Sequence, residues 1–139
     1  MKCLTEFMRI IDNELLEKLT EQAVTNERLR KNYNLHRSLN DNVQRLLNAM
    51  EPGTEMPVHR HKHTDETYVV LKGSLNVLLY NEKKVLTQTI LLDPKQGKYG
   101  ISIPAAQWHS VEILEKGTVI FEVKQGPYSP LESKDIMHL

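Results

Sequence analysis

The chain has a single cysteine, no long apolar run and no long run of charges of one sign. Its one thiol, Cys3, cannot form an internal disulfide, which favours a reducing compartment. No segment is apolar enough to span a membrane, and residues 1–9 carry Glu6 and lack the apolar region of a signal peptide. From these absences we expect a cytoplasmic protein without a membrane partner.

Charge is balanced as well, because 18 Lys and Arg oppose 18 Asp and Glu. A neutral chain without charge blocks does not favour a nucleic-acid partner. The sequence also lacks a phosphate-binding loop, a dinucleotide glycine pattern and a CxxC pair. A glycosidase-type carboxylate pair has no obvious candidate beyond Glu66. These absences disfavour nucleotide-dependent, thiol-based and two-carboxylate chemistry.

Helical periodicity is confined to residues 10–24 of a chain whose length, 1–139, suits one domain. Asp12 is the expected N-cap of this helix. An apolar stripe at helical spacing comprises Ile11, Leu15, Leu16, Leu19 and Ala23. We expect this stripe to pack on the rest of the domain or on a partner subunit.

Residues 28–37 alternate between polar and mostly apolar side chains, as a strand does. The polar set comprises Arg28, Arg30, Asn32, Asn34 and His36. This set fits a solvated edge strand, which we favour for the arginines. It also fits a polar wall near a ligand or a subunit interface, for which Asn34 and His36 are the candidates.

Short strand-like runs with Gly and Pro punctuation occupy residues 42–124 and predict an all-β sandwich, jelly roll or small barrel. Strands are expected at 43–50, 58–61, 67–71, 75–80, 85–92, 99–103, 108–114 and 118–124. In the last strand Glu122 and Lys124 alternate with Phe121 and Val123, and a solvated face explains both charges without a site. Residues 125–139 are expected to form a surface tail.

Two histidines and one glutamate in the middle of the chain have the spacing of metal ligands. His59 and His61 are two residues apart, so in a strand their rings point into the same cavity, and Glu66 can reach it from the next strand. Two imidazoles and one carboxylate suit a divalent transition metal, with non-haem iron favoured. His109 supplies a fourth ligand from a distant strand. The structural alternative is that these histidines are ordinary polar side chains lining a cavity.

The spacing of these residues resembles the motifs of the cupin superfamily. Gly53, His59, His61, Glu66 and Gly73 match every fixed position of the first cupin motif. In the second motif Pro104 and His109 hold their places, whereas Ala106 stands where a glycine is expected and Ile113 where an asparagine is expected.

A wider set of segments resembles the WbuC family of cupin-fold metalloproteins. The segments are residues 34–36, 44–49, 52–53, 59–61, 66–67 and 122–128. The resemblance implies one cupin double-stranded β-helix, or jelly-roll, barrel with an N-terminal α-helix. It also implies a homodimer and a link to surface-polysaccharide biosynthesis, because members are often encoded among such genes.

The ligand set His59, His61, Glu66 and His109 predicts a metal centre with open coordination positions for a small-molecule ligand. Fe²⁺ is favoured, and Mn²⁺, Zn²⁺ or Ni²⁺ also suit these donors. Glu66 is also the catalytic candidate, as a general base. Tyr68 shares its parity and is a substrate-binding candidate, with packing in the core as the structural alternative.

The expected function is that of a metal-dependent enzyme of dioxygenase or isomerase type acting on a small polar metabolite or sugar derivative. One alternative is a non-catalytic, metal-dependent binding or sensing module. Another is a metal-free sugar epimerase, against which the complete ligand set argues.

Overall fold

The computed structural model describes residues 8–139. Cys3 and most of the N-terminal stretch interpreted above lie outside the described residues. The described part contains one α-helix and ten strands. These are α1 (Asn13–Val24), β1 (Arg30–Asn34), β2 (Val43–Met50), β3 (Val58–His59), β4 (Glu66–Lys72), β5 (Leu75–Tyr80), β6 (Leu86–Leu92), β7 (Gly100–Ile103), β8 (Trp108–Ile113), β9 (Thr118–Gln125) and β10 (Ile136–Met137). No helix in this range is long and apolar enough to cross a membrane.

The strands form two five-stranded sheets, in which every pairing is antiparallel. The first sheet has the order β1-β2-β9-β4-β7, and the second has the order β10-β3-β8-β5-β6. Two facing antiparallel sheets, between which the chain passes back and forth, make a jelly-roll barrel. The predicted all-β fold with an N-terminal helix is confirmed, and most predicted strands agree with the observed ones to within one or two residues.

Helix α1 begins three residues later than the periodicity predicted. Asp12 is its N-cap, and its side chain accepts a hydrogen bond of 3.0 Å from the backbone N–H of Leu15. The buried face of the helix packs on the outer surface of the first sheet. The buried cluster comprises Leu16, Leu19, Ala23, Leu47, Ala49 and Val119, with Tyr33 and Phe121 packed against it.

This packing determines which face of β1, β2 and β9 lies inside the barrel. Because the helix covers the outer surface, apolar side chains of β1, β2 and β9 point outwards to the helix. The alternate residues of the same strands point into the barrel. Polar residues of these strands, such as Asn48, therefore line the barrel interior.

The barrel interior is apolar at one end. Ten buried side chains form its core: Met50, Tyr68, Val70, Leu75, Val77, Leu92, Ile103, Val111, Ile113 and Ile120. Full burial of one such side chain contributes about 1.5–3 kcal/mol. This half of the interior therefore carries much of the hydrophobic stabilisation of the barrel.

The C-terminal segment departs from the expectation of a surface tail in its last residues. Strand β10 pairs with β3, so that Ile136 lies opposite His59 and Met137 opposite Val58. Asp135 and Met137 are buried. The Asp135 carboxylate accepts a hydrogen bond of 3.1 Å from Arg60 Nε. This ion pair and the strand pairing hold the end of the chain against the strand that carries His59.

Candidate metal centre

The four predicted ligands converge from three strands and one adjoining loop. His59 ends β3 and pairs with His109 of β8, while Glu66 begins β4 in the opposite sheet. His61 follows β3 directly. One donor atom from each of the four residues lies within 4.8 Å of every other. Two sheets of one barrel thus bring together residues that are up to 50 positions apart in the chain.

Backbone carbonyls fix the orientation of two of the imidazole rings. His59 Nδ1 lies 2.9 Å from the carbonyl oxygen of Pro57, and His109 Nδ1 lies 2.8 Å from that of Gln107. Because a carbonyl can only accept, Nδ1 carries the hydrogen in both rings. The lone pair of each Nε2 is then left for another partner, as in metal-binding histidines.

Glu66 lies between two of these histidines. Its Oε1 is 3.0 Å from His109 Nε2, and its Oε2 is 3.5 Å from His61 Nε2. The hydroxyl of Tyr68 donates a 2.8 Å hydrogen bond to Oε1. His109 Nε2 and the carboxylate are both acceptors when Nδ1 holds the ring hydrogen, so a proton or a cation must lie between them. The donor chemistry fits a divalent transition metal ion.

Burial and neighbouring charges set the protonation states that a metal needs. Burial, with the adjacent His109, lowers the pKa of His59 to about 4. Burial also lowers the pKa of His61, against the opposing charge of Glu66. For Glu66, burial opposes the charged form. The His109 hydrogen bond and the charges of His61, His109 and Lys124 outweigh it and lower the pKa to about 2. At neutral pH His59 and His61 are neutral and Glu66 is ionised, as metal coordination requires.

The turn before His109 keeps its shape without the expected glycine. Ala106 has a φ of 70°, a left-handed conformation that glycine adopts without strain. Its N–H donates a 2.8 Å hydrogen bond to the carbonyl of His61. The neighbouring N–H of Ala105 donates one of 2.9 Å to the Asp65 carboxylate. These two bonds tie the turn to the segments that carry the other ligands.

A cavity of about 390 Å³ opens from the ligand cluster to solvent. Its lining comprises Asn26, Arg28, Arg30, Lys31, Asn32, Asn48, Met56, His59, His61, Glu66, Tyr68, Glu122 and Lys124. Most of these side chains are polar, and many come from the inner surface of the first sheet. Such a cavity can hold a small polar molecule beside a metal ion.

The interpretation of Glu122 and Lys124 as a solvated face is wrong, because both line this cavity. Glu122 accepts a 2.9 Å hydrogen bond from Asn48 Nδ2. Burial and the charge of Glu66 raise the pKa of Glu122 to about 7, although Asn48 and Lys124 act in the opposite direction. Sequence reasoning missed this carboxyl group because the helix covers the apolar face of β9, so the polar face is the inner one.

The predicted substrate residues divide between two cavities. Tyr68 lines the cavity beside the ligands, and burial raises the pKa of its hydroxyl well above its ordinary value. Asn34 and His36 line a smaller adjoining cavity of about 150 Å³. Backbone atoms of Arg45 hold His36 Nδ1 there, at 2.9 Å from the carbonyl and 3.0 Å from the N–H. The structure therefore does not bring Asn34 and His36 to the ligand cluster, whereas Arg30 and Asn32 of the same strand lie in its cavity.

The remaining histidines and the tryptophan lie outside the cluster. His63 and His138 are exposed. Trp108 is buried against Val58 and Met137, with the guanidinium of Arg60 4.6 Å from its ring centre. The indole therefore packs on the opposite face of β8 from His109.

Comparison with solved structures identifies the fold as that of the cupins. A cupin superfamily protein from Desulfitobacterium hafniense is 20% identical, with a TM-score of 0.57 over 77% of this chain and 86% of that one. KdgF from Halomonas sp. is 15% identical, with a TM-score of 0.57 over 76% of this chain and 85% of that one. The capsular polysaccharide assembling protein CapF from Staphylococcus aureus is 17% identical, with a TM-score of 0.60 over 83% of this chain but 33% of CapF.

Within this fold, the chain belongs to the family described as "Domain of unknown function (DUF6016)", whose model matches residues 11–92. The matched residues run from the helix through β6 and include His59, His61 and Glu66. No curated protein matches the sequence. The chain is thus a member of this family with a cupin-like fold and a candidate metal centre.

Proposed function

We propose that this protein is a cupin metalloenzyme that binds one divalent transition metal ion and acts on a small polar metabolite. His59, His61, Glu66 and His109 hold the ion. The observation that carries the proposal is the 3.0 Å separation of two acceptors, His109 Nε2 and Glu66 Oε1, within a buried cluster of four donors. A metal ion between these atoms satisfies both of them.

Iron(II) is the favoured ion because imidazole and carboxylate donors of this kind suit it, and manganese, zinc or nickel fit the same donors. When bound, the ion polarises a carbonyl or hydroxyl group or, as iron(II), supports oxygen chemistry, so isomerase and dioxygenase are the reaction types we propose.

Residues of the cavity supply the proton chemistry. Tyr68 keeps its proton and orients the Glu66 carboxylate through their 2.8 Å hydrogen bond. Glu122, positioned by Asn48, has a pKa of about 7 and can therefore accept or release a proton near neutral pH. The open, polar cavity supports a catalytic role over a purely structural metal site.

The substrate that we propose is a sugar derivative of surface-polysaccharide biosynthesis. The sequence resemblance to the WbuC family supports this assignment. The fold similarity to CapF, a protein described as assembling capsular polysaccharide, agrees with it.

We further propose a cytoplasmic homodimer without a nucleic-acid or membrane partner. Within residues 8–139, β1 is one of the two edge strands of the first sheet. An edge strand presents unpaired backbone groups that a second copy can pair with.

The test is elemental analysis of protein purified without an affinity tag or added metal. We expect about one equivalent of a transition metal in the wild type and its loss in a His59→Ala/His61→Ala variant. A His63→Ala variant is the matched control, because His63 is exposed two residues beyond His61. Wild-type protein that holds no metal even after reconstitution contradicts the proposal.

Turnover of candidate sugars by the metal-loaded protein separates an enzyme from a binding module. Metal-dependent product formation that the double variant loses supports the enzyme. A metal-loaded protein that binds such sugars without converting them supports the non-catalytic alternative.

A further inference from the structure

Four basic side chains line the mouth and one wall of the metal cavity. Arg28, Arg30 and Lys31 come from β1 and the residues just before it, and Lys124 comes from β9. We call these four residues the basic wall. Arg30 and Lys124 are half-buried, whereas Arg28 and Lys31 are exposed.

No carboxylate within residues 8–139 forms an ion pair with any member of the basic wall. Glu27 and Glu55 line an adjoining surface pocket together with Arg28 and Arg30, yet they form no salt bridge with them. The hydrogen bond of the Arg30 side chain in this range is a 3.5 Å contact from Nη1 to the sulfur of Met56, which is a weak acceptor. The guanidinium group therefore has most of its donors free.

The arrangement around Arg30 is unfavourable for the free protein. Burial and the positive charge of Arg28 lower the pKa of Arg30, and the charge of Glu122 offsets only part of this effect. A half-buried cation without an ion-pair partner loses hydration, and the Met56 contact and the charge of Glu122 replace only part of it. Such an arrangement is typical of a binding site, where the ligand supplies the missing charge.

The two carboxyl groups of the cavity, Glu66 and Glu122, neutralise only part of the charge of the basic wall. Glu66 is directed to the histidines, with its oxygens 3.0 Å from His109 Nε2 and 3.5 Å from His61 Nε2. The remaining carboxyl group, Glu122, is hydrogen-bonded to Asn48. The lining of the cavity as a whole therefore carries more positive than negative charge, and a bound divalent cation would increase this excess.

We propose that the ligand of this cavity is an anion, whose carboxylate or phosphoryl group binds the basic wall while its polar end faces the metal ligands. Arg30 and Lys124 are the principal anion-binding residues, because they are the members of the wall that are withdrawn from solvent. Charge-assisted hydrogen bonds from guanidinium and ammonium groups are the strongest contacts that proteins make to such anions. This inference rests on the proposed function for the polar end alone, since the basic wall exists without a metal.

The test is isothermal titration calorimetry of metal-loaded protein at low salt with glucose, glucuronate, glucose 6-phosphate and inorganic phosphate. We expect a charged sugar to bind at least about tenfold more tightly than glucose, which has the same ring without the charge. A preference for glucuronate assigns a carboxylate ligand. A preference for glucose 6-phosphate, with binding of inorganic phosphate, assigns a phosphoryl ligand.

Three variants locate the anion. Arg30→Gln and Lys124→Gln are each expected to weaken binding of the charged sugar about tenfold. Arg45→Gln is the matched control and should leave the affinity unchanged, because Arg45 is exposed and has the opposite parity to Asn48 on β2. Arg30→Gln should also raise the melting temperature of the ligand-free protein by about 1–3 °C, since it removes an unpaired charge. If Arg30 had a purely structural role, Arg30→Gln would lower the melting temperature instead.

Several results would overturn the inference. The inference requires glucose to bind more weakly than the charged sugars, so equal affinities contradict it. Absence of binding by every anionic probe at about 10 mM also contradicts it. Affinity retained in both Arg30→Gln and Lys124→Gln would place the anion on the metal ion instead.

Failure of the proposed function is distinguishable from failure of this inference. Metal content tests the proposed function, and it should stay at about one equivalent of metal in all three variants. If the wild type holds no metal, titration of inorganic phosphate into the metal-free protein still tests the basic wall. Weak phosphate binding that Arg30→Gln abolishes supports the wall, and phosphate binding that Arg30→Gln leaves unchanged contradicts it.

Discussion

The two ends of the barrel interior are built from the same strands but have opposite chemistry. Val70 of β4 and Ile120 of β9 belong to the apolar core. Glu66 lies four residues before Val70, and Glu122 lies two residues after Ile120. On β2 the change occurs between Met50 and Asn48. Because the side chains of one face recur every second residue, a single strand can supply both halves. The apolar half makes the strands rigid, and the polar half uses that rigidity to position ligands.

A second comparison isolates the effect of this environment on one chemical group. Asn48 donates to Glu122 at 2.9 Å inside the barrel, and Asn76 donates to Glu112 at 3.0 Å on the surface. The two pairs have the same chemistry and nearly the same geometry. Burial raises the pKa of Glu122 to about 7. The polar half therefore contains buried ionisable groups, such as Glu122, whose charged form lowers the stability of the fold. Burial of the apolar half compensates for this loss.

The largest effect is expected from a deletion in the apolar half. Leu75 is fully buried in the core. Leu75→Ala should lower the free energy of unfolding by about 3 kcal/mol, through lost burial and the cavity that remains. Chemical denaturation monitored by circular dichroism measures the change.

Leu71→Ala is the control, since Leu71 lies on β4 with 39% of its surface exposed. This variant should change stability by no more than about 0.5 kcal/mol. The folded Leu75→Ala protein should keep the metal content of the wild type. Loss of metal at unchanged stability would show that the two halves are not separate in function.

A smaller effect of opposite sign is expected in the polar half. In metal-free protein the pKa of Glu122 lies above its ordinary value of 4.5, at about 7. The contribution of this group to stability is complete below pH 4.5 and is lost as pH rises through about 7. Glu122→Gln, which cannot ionise, should therefore be more stable than the wild type at pH 8, by on the order of 2 kcal/mol.

The measurement is the difference between the two unfolding curves from pH 4 to pH 8. The difference removes the contribution of His59, whose lowered pKa makes stability rise with pH. Glu112→Gln is the matched control, because Glu112 is exposed and accepts the same kind of hydrogen bond from Asn76. If the Glu122→Gln difference is flat across this range, Glu122 is not held in a state that disfavours its charge.

The smallest effect concerns the turn that carries His109. Ala106→Gly should stabilise the protein by about 0.5–1 kcal/mol, because glycine relieves the left-handed strain that alanine suffers at a φ of 70°. Ala105→Gly in the same turn should instead destabilise it by about 0.5 kcal/mol, since it adds only flexibility. Thermal unfolding compares the two, and a destabilised Ala106→Gly protein would contradict the strain.

The fold and the four donors could be predicted because each left a short-range signal. The strands appear as apolar runs between turn residues, and the donors have a fixed spacing around His59, His61 and Glu66. His109 was found through Pro104, even though Ala106 replaces a glycine. These signals do not depend on which elements pack together.

The rest of the site could not be predicted because alternation reveals the faces of a strand but not which one is inside. The polar face of β9 was assigned to solvent, although Glu122 and Lys124 point into the cavity. Asn34 and His36 share the parity of Arg30 and Asn32, so alternation could not show which of these residues lie beside the ligand cluster and which lie in the adjoining cavity. The docking of α1 on the outer surface of the first sheet decides which face of β9 lies inside the barrel, and no single strand encodes that contact.

The central claim is that His59, His61, Glu66 and His109 bind one metal ion. Crystal diffraction recorded at the absorption edge of the metal identified by elemental analysis tests it most directly. We expect one anomalous peak about 2.0–2.3 Å from the three imidazole nitrogens and the carboxylate. A crystal of reconstituted protein without this peak, or with the metal on the exposed His63 or His138 instead, would contradict the account.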